Sequence, residues 1–200
     1  ENWSRKNQSE IRQLRPYAAA KLSEINGQPI DAAISTPSET LATVKNSIRL
    51  HWSNTIPSNN KLVGGKWWSE KESNWNQISA EEEVMTDLGL NYGDQLTFVI
   101  GGKATIFELV ASHAFKPGRG SVTFWFQIPE RAMDVIKPDV FYMGSIELPE
   151  AAWSELGSLW RNYPSLSLVP LKELTQRFDD LLAIVTKLVV GYAAMVLIMT

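Results

Sequence analysis

Residues 181–200 read LLAIVTKLVVGYAAMVLIMT, a run in which Lys187 is the sole charge. Nothing constrains the chain more, because so apolar a stretch must leave water, either across a bilayer or inside a core. A membrane-spanning helix needs about twenty mostly apolar residues. The uncharged part, residues 188–199, supplies a little over half of that, and it reads as the start of a transmembrane helix over 188–200. A buried C-terminal core helix is the other reading. Immediately upstream, Leu171, Leu174, Phe178, Leu181, Leu182 and Val185 recur at three- and four-residue steps, which predicts an amphipathic helix over 171–187. Pro170 suits its first turn, and Lys172, Glu173, Gln176, Arg177, Asp179 and Asp180 fill the polar face. The two segments together make a stalk running into a membrane, with Leu171, Leu174, Phe178, Leu181 and Val185 as its coupling face.

The rest of the chain has material for a packed core, 44% hydrophobic and 20% charged. The absence of cysteine excludes disulfides, thiolate metal sites and thiol catalysis. A net charge of −3 argues against nucleic acid, whose phosphates select basic surfaces.

Chemistry-bearing patterns are sparse. His51 and His113 are the two histidines, neither within an H-E-x-x-H or other paired-ligand spacing, and each reads as an ordinary surface or strand residue. No G-x-S-x-G elbow is present, and Gly64-Gly65 and Gly101-Gly102 match neither a phosphate loop nor a dinucleotide fingerprint. Glu81, Glu82 and Glu83 are neighbours at a helix start, favoured by its positive end and unable to converge as an acid–base pair. The run from Lys116 to Gly120 reads as a tight loop. No catalytic, cofactor-binding or metal-ligating residue is therefore expected, and the chain is not expected to be an enzyme. Trp67, Trp68 and Trp75 admit two uses, a partner surface or packing inside a small subdomain.

Along the chain, residues 1–14 are expected as a polar helix stopped by Pro16. Strands at 17–25 and 29–34 are joined by the Asn26-Gly27 hairpin turn. A strand follows at 44–52, then a strand ending at Ser79, a helix over 80–88 closed by Gly89, and two strands hinged at Gly101-Gly102. Residues 122–128 read as a central strand, and 140–169 as strand, helix, strand. The expected class is α+β, in which the two ends, 1–43 and 138–170, form an α/β subdomain interrupted by a β-rich one over 44–137.

The order of Gly64-Gly65-Lys66-Trp67-Trp68, Ile78-Ser79-Ala80-Glu81-Glu82 and Leu88-Gly89-Leu90-Asn91-Tyr92-Gly93-Asp94-Gln95-Leu96-Thr97-Phe98 resembles the extracytoplasmic domain of FtsX/MacB-type ABC-transporter permeases. The YbbP-like branch is the most similar. Arg15-Pro16-Tyr17, the turn from Ile25 to Ile30, Phe141-Tyr142 and Leu148-Pro149-Glu150 fit the same order. The resemblance implies a porter-like α/β subdomain with a Sabre-like β-rich insert, placed in the periplasm and anchored in the bacterial inner membrane. It implies mechanotransmission: a separate cytoplasmic ATP-binding subunit moves the membrane helices and thereby the periplasmic domain, serving export or extraction of lipidic or hydrophobic cargo. The implied partners are that ATPase, a periplasmic esterase or lysophospholipase, and the lipid membrane. A ligand-sensing module of a membrane receptor is the alternative function, and would use the same stalk to signal inward.

Overall fold

The computed structural model describes residues 2–69, 74–116, 118 and 121–169. The expected stalk, 171–187, and membrane segment, 188–200, lie outside them, as do Pro117, Arg119 and Gly120 of the Lys116 loop. Among the described residues no helix is long and apolar enough to cross a membrane. The chain divides into two units, 1–150 and 151–200.

One strand, β1 (Glu10–Ile25), organises the first unit. The helix expected over 1–14 is cut short: α1 covers Asn2–Lys6 and ends in a turn at Gln8, where φ is +51°. Ser4 and Ser9 lock that turn, each hydroxyl donating to the other residue's carbonyl. Ile11 and Leu14, within the span expected as helix, instead stand in a sheet. Pro16 does not break the strand. Its missing N–H costs a ladder bond, but its carbonyl accepts a 2.7 Å hydrogen bond from the His51 ring.

After β1 come β2 (Gln28–Pro29), α2 (Ile30–Ala33), α3 (Glu39–Asn46), β3 (Ile48–Trp52), β4 (Asn60–Gly65), β5 (Gln77–Glu81) and α4 (Glu82–Asp87). Then follow β6 (Gln95–Ile100), β7 (Lys103–Phe115), β8 (Phe126–Ile128), α5 (Ala132–Ile136) and β9 (Phe141–Glu147). Both expected two-residue turns form with positive φ at each central residue, Asn26-Gly27 and Gly101-Gly102.

The strand pairings close on themselves. In sequence around the ring they run β1, β3, β8, β5, β7, β6 and back to β1, a six-stranded barrel in which β3/β8 and β5/β7 are parallel and the rest antiparallel. A barrel this narrow has an interior just filled by side chains. Alternate residues supply them: Ala18, Ala20 and Leu22 from β1, Leu50 from β3, Phe126 and Ile128 from β8, Ile78 and Ala80 from β5, Phe107 and Leu109 from β7, and Leu96, Phe98 and Ile100 from β6, all buried. Phe98 is the hub, edge-on to Phe107 at 6.0 Å and to Phe126 at 5.2 Å, the geometry aromatic quadrupoles prefer. α3 and α4 add Leu41, Val44 and Val84 to the same core. Two side chains make the caps: the Ser38 hydroxyl accepts from Leu41 N–H, and the Glu81 carboxylate accepts from Glu83 and Val84 N–H.

Both long strands outrun the barrel. The first half of β1 pairs with β9, Glu10 opposite Glu147 through Tyr17 opposite Phe141, while the second half closes the ring. A single strand thus belongs to a protruding two-stranded ribbon and to the barrel, so residues 17–25 share a sheet with strands of 44–137. Likewise the end of β7 pairs with β4. Gly65 makes that junction possible: its φ is +72°, and a Cβ there would stand 2.1 Å from the Val110 carbonyl oxygen and 2.8 Å from the Ala111 Cα. Gly27 has the same φ sign with nothing within 4 Å. Replacing Gly65 by Ala is therefore expected to cost about 3 kcal/mol, backbone strain plus a displaced strand, and Gly27→Ala about 1 kcal/mol, strain alone. Urea unfolding of the two variants would measure the difference; equal losses would show that the β4–β7 contact yields freely.

A 3₁₀ turn (Glu150–Glu155), beginning at the last residue of the first unit, leads into α6 (Leu156–Asn162) of the second. The Trp160 indole N–H donates to the Leu166 carbonyl at 2.9 Å, folding the following segment back over the helix. Residues 165–169 form no strand, contrary to the alternation read there; they find no ladder partner among the described residues.

Candidate functional site

Because Leu50, Phe126 and Ala80 point into the barrel, the residues beside them point out. Register aligns those outward residues in a row across four strands: Tyr17 opposite His51, His51 beside Gln127, and Gln127 opposite Ser79. His113, from β7, extends the row. All but Tyr17 are buried, covered by Phe124, which stacks on His51 at 4.7 Å, and by Trp67, whose ring meets His113 edge-on at 6.3 Å.

The hydrogen bonds of the polar layer centre on His113. The Ser79 hydroxyl lies 2.8 Å from His113 Nδ1, and His113 Nε2 lies 3.1 Å from the Phe124 carbonyl. A carbonyl can only accept, so Nε2 carries the proton and Nδ1 accepts from Ser79. The Gln127 amide is also 3.1 Å from Nε2. A nitrogen that carries its proton can meet only the amide's oxygen. Burial lowers the His113 pKa to about 4, against the Phe124 hydrogen bond, which raises it. Burial also lowers His51 to about 4, with the Pro16 bond opposing and the Arg15 charge adding to the fall. Both rings are neutral. His51 Nδ1–H donates to Pro16, which leaves Nε2 as a buried, unpartnered lone pair. It lines a small crevice with Arg15, Asn59, Asn60 and Gln127, and the space admits no water.

Ser79 and His113 are oriented as a nucleophile and its base would be. Neither side chain has an exposed atom through which a substrate could enter; both are fully buried. The pair instead fastens β5 to β7 and to the Phe124 segment. Glu81, opposite His113 in register, is spent as the cap of α4, and burial raises its pKa above the ordinary carboxylate value. Among the described residues no three His, Asp or Glu gather around one point.

The tryptophans sit in the covering layer and the core. Trp68 is buried with its N–H donating to the Ser53 carbonyl at 2.7 Å. Trp67 stacks on it at 4.2 Å, half-buried, its N–H without a partner among the described residues. Trp75 packs on the core edge-on to Phe107. The stalk residues Leu171, Leu174, Phe178, Leu181 and Val185 lie outside the described residues. Of the histidines, the strand half of the reading holds and the surface half does not: both are interior.

Exposed apolar surface is concentrated elsewhere, on the β1–β9 ribbon. Ile11 opposite Ile146, Leu14 opposite Gly144 and Pro16 opposite Tyr142 share one face. There Leu14 is 58% and Tyr142 65% exposed, with Ile11 and Ile146 also open to solvent. Arg12 and Glu147 pair across the ribbon on the exposed side. The sequence did not reveal this face, because neither strand alternates cleanly and the register that aligns them is long-range.

No protein-family model matches the chain, and no curated protein does. Among solved structures, the chain is similar to a domain assigned to a permease protein of Porphyromonas gingivalis, at 10% identity over 76% of this chain and 70% of that one, with a TM-score of 0.37.

Proposed function

We propose that this chain is the periplasmic domain of an ABC-transporter permease, a non-catalytic module that passes movement between the membrane and a periplasmic partner. A single juxtaposition carries the reading. Ser79, His51 and His113 are sealed inside a buried layer, while the same chain carries an amphipathic repeat over 171–187 joined to the apolar run over 181–200. Sealed polar groups support rigidity, and a rigid body on an amphipathic stalk is suited to transmit displacement. The ordered motifs from Gly64 to Phe98 support the permease family within that class. In this reading a cytoplasmic ATP-binding subunit supplies the energy, and Leu171, Leu174, Phe178, Leu181 and Val185 couple it to lipidic or hydrophobic cargo handled with a periplasmic esterase or lysophospholipase. The exposed ribbon face offers such a partner an apolar footing.

The test is reconstitution of the full-length permease with its ATPase in lipid nanodiscs, with and without the periplasmic enzyme. Partner addition is expected to stimulate ATP turnover severalfold, and replacing Leu174 and Phe178 together by glutamate to return turnover to the basal rate with the domain's circular dichroism unchanged. ATPase activity indifferent to both would move the assignment to a receptor's sensing module.

A further inference from the structure

Tyr92 is held in place by two local features. Its hydroxyl shares a 2.7 Å hydrogen bond with the Ser112 hydroxyl, and Gly64 leaves room for it, since a Cβ there would stand 2.2 Å from that oxygen. Fixed at its tip, Tyr92 is still 48% exposed as a residue. Beside it runs an open groove of about 310 Å³, with Val63, Met85 and Leu90 along its apolar side and Glu82 at its rim. α4 carries Glu82, Glu83 and Asp87 and no basic residue. Asp87 is engaged by the Thr40 hydroxyl. The Glu82 carboxylate has no ion-pair or hydrogen-bond partner among the described residues.

We propose that this groove docks a segment of a partner protein presenting an arginine or lysine next to an apolar side chain. The cation stacks on the Tyr92 face and pairs with Glu82, and the apolar neighbour lies in the trough between Val63 and Leu90. A groove lined by both an aromatic ring and an unpaired carboxylate is complementary to a cation twice over, through the ring quadrupole and through charge. The trough adds a place for one apolar side chain, which a lone ammonium headgroup would leave empty. A second copy offering the same face would bring carboxylates against carboxylates. The groove shares no residue with the stalk, so its failure would leave the transport reading standing.

The experiment uses the 200-residue chain in neutral detergent and fluorescein-labelled pentapeptides, Gly-Leu-Arg-Leu-Gly against Gly-Leu-Gln-Leu-Gly, read by anisotropy and by backbone amide shifts. The arginine peptide is expected to bind about tenfold more tightly, to shift amides of Val63, Glu82 and Tyr92, and to weaken as salt rises. Tyr92→Leu is expected to lose about threefold and Glu82→Arg all of the arginine preference, with unchanged circular dichroism. Equal binding of both peptides, or binding blind to Glu82→Arg, overturns the proposal. Phosphocholine displacing the peptide at similar concentration would assign the groove to a headgroup, and self-association lost in Glu82→Arg would assign it to a second copy; either result also overturns it.

Discussion

Acidification from pH 7 to pH 4 is expected to remove roughly 6 kcal/mol of folding stability through two side chains, offset in part at a third. His51 and His113 are neutral in the fold, with pKa values lowered to about 4 by burial, against about 6.5 in an unfolded chain. Between those values the unfolded state binds protons that the folded state refuses, so stability falls as pH falls. The contribution is present above about pH 6.5 and is lost toward pH 4, at roughly 3 kcal/mol for each ring. Glu81 opposes this in part: its raised pKa means the folded state takes up a proton more readily than the unfolded one, and it gains stability as pH falls. Arg15 beside His51 strengthens the main effect, being a fixed positive charge that disfavours a second. Urea midpoints at pH 7, 5.5 and 4.5 would trace the slope, and His113→Gln should remove about half of it. A flat profile between pH 6.5 and 4.5 would show that the covering layer opens to water and the rings titrate freely.

Phe98→Ala is expected to cost about 4 kcal/mol, near the upper range for truncated core aromatics. Phe98 is fully buried and edge-on to both Phe107 and Phe126, so its removal empties the middle of a closed ring whose strands cannot move together without breaking ladder bonds. That rigidity is what keeps a cavity open and its cost high. Thermal unfolding should fall by about 10 °C. Phe98→Leu, which keeps much of the volume, is expected to lose about 1.5 kcal/mol. Similar losses for both substitutions would mean that the barrel collapses around the vacancy.

Local signals carried the sequence reading where the chemistry was local. The Asn26-Gly27 and Gly101-Gly102 turns, the acidic start of α4 and the left-handed Gly89, at φ +63°, follow from residues within a few positions of one another. What escaped depends on distant partners. Ile11 and Leu14 have helical spacing, yet β9, about 130 residues on, offers them a ladder. The row of His51, Gln127, Ser79 and His113 exists only once four strands are in register, and no spacing along the chain announces it. Tyr92 and Gly64 each stood in a motif, but only the fold shows that one makes room for the other.

Only one of the ribbon's two strands, β9, is its own. The other is the first half of β1, whose second half is a stave of the barrel, with Tyr17 bonded in register to both β3 and β9. No single cut or crossover in the gene can therefore exchange the ribbon and keep the barrel intact. A segment exchanged across residues 10–25 carries ribbon and barrel together, so the ribbon can be altered separately only from the β9 side.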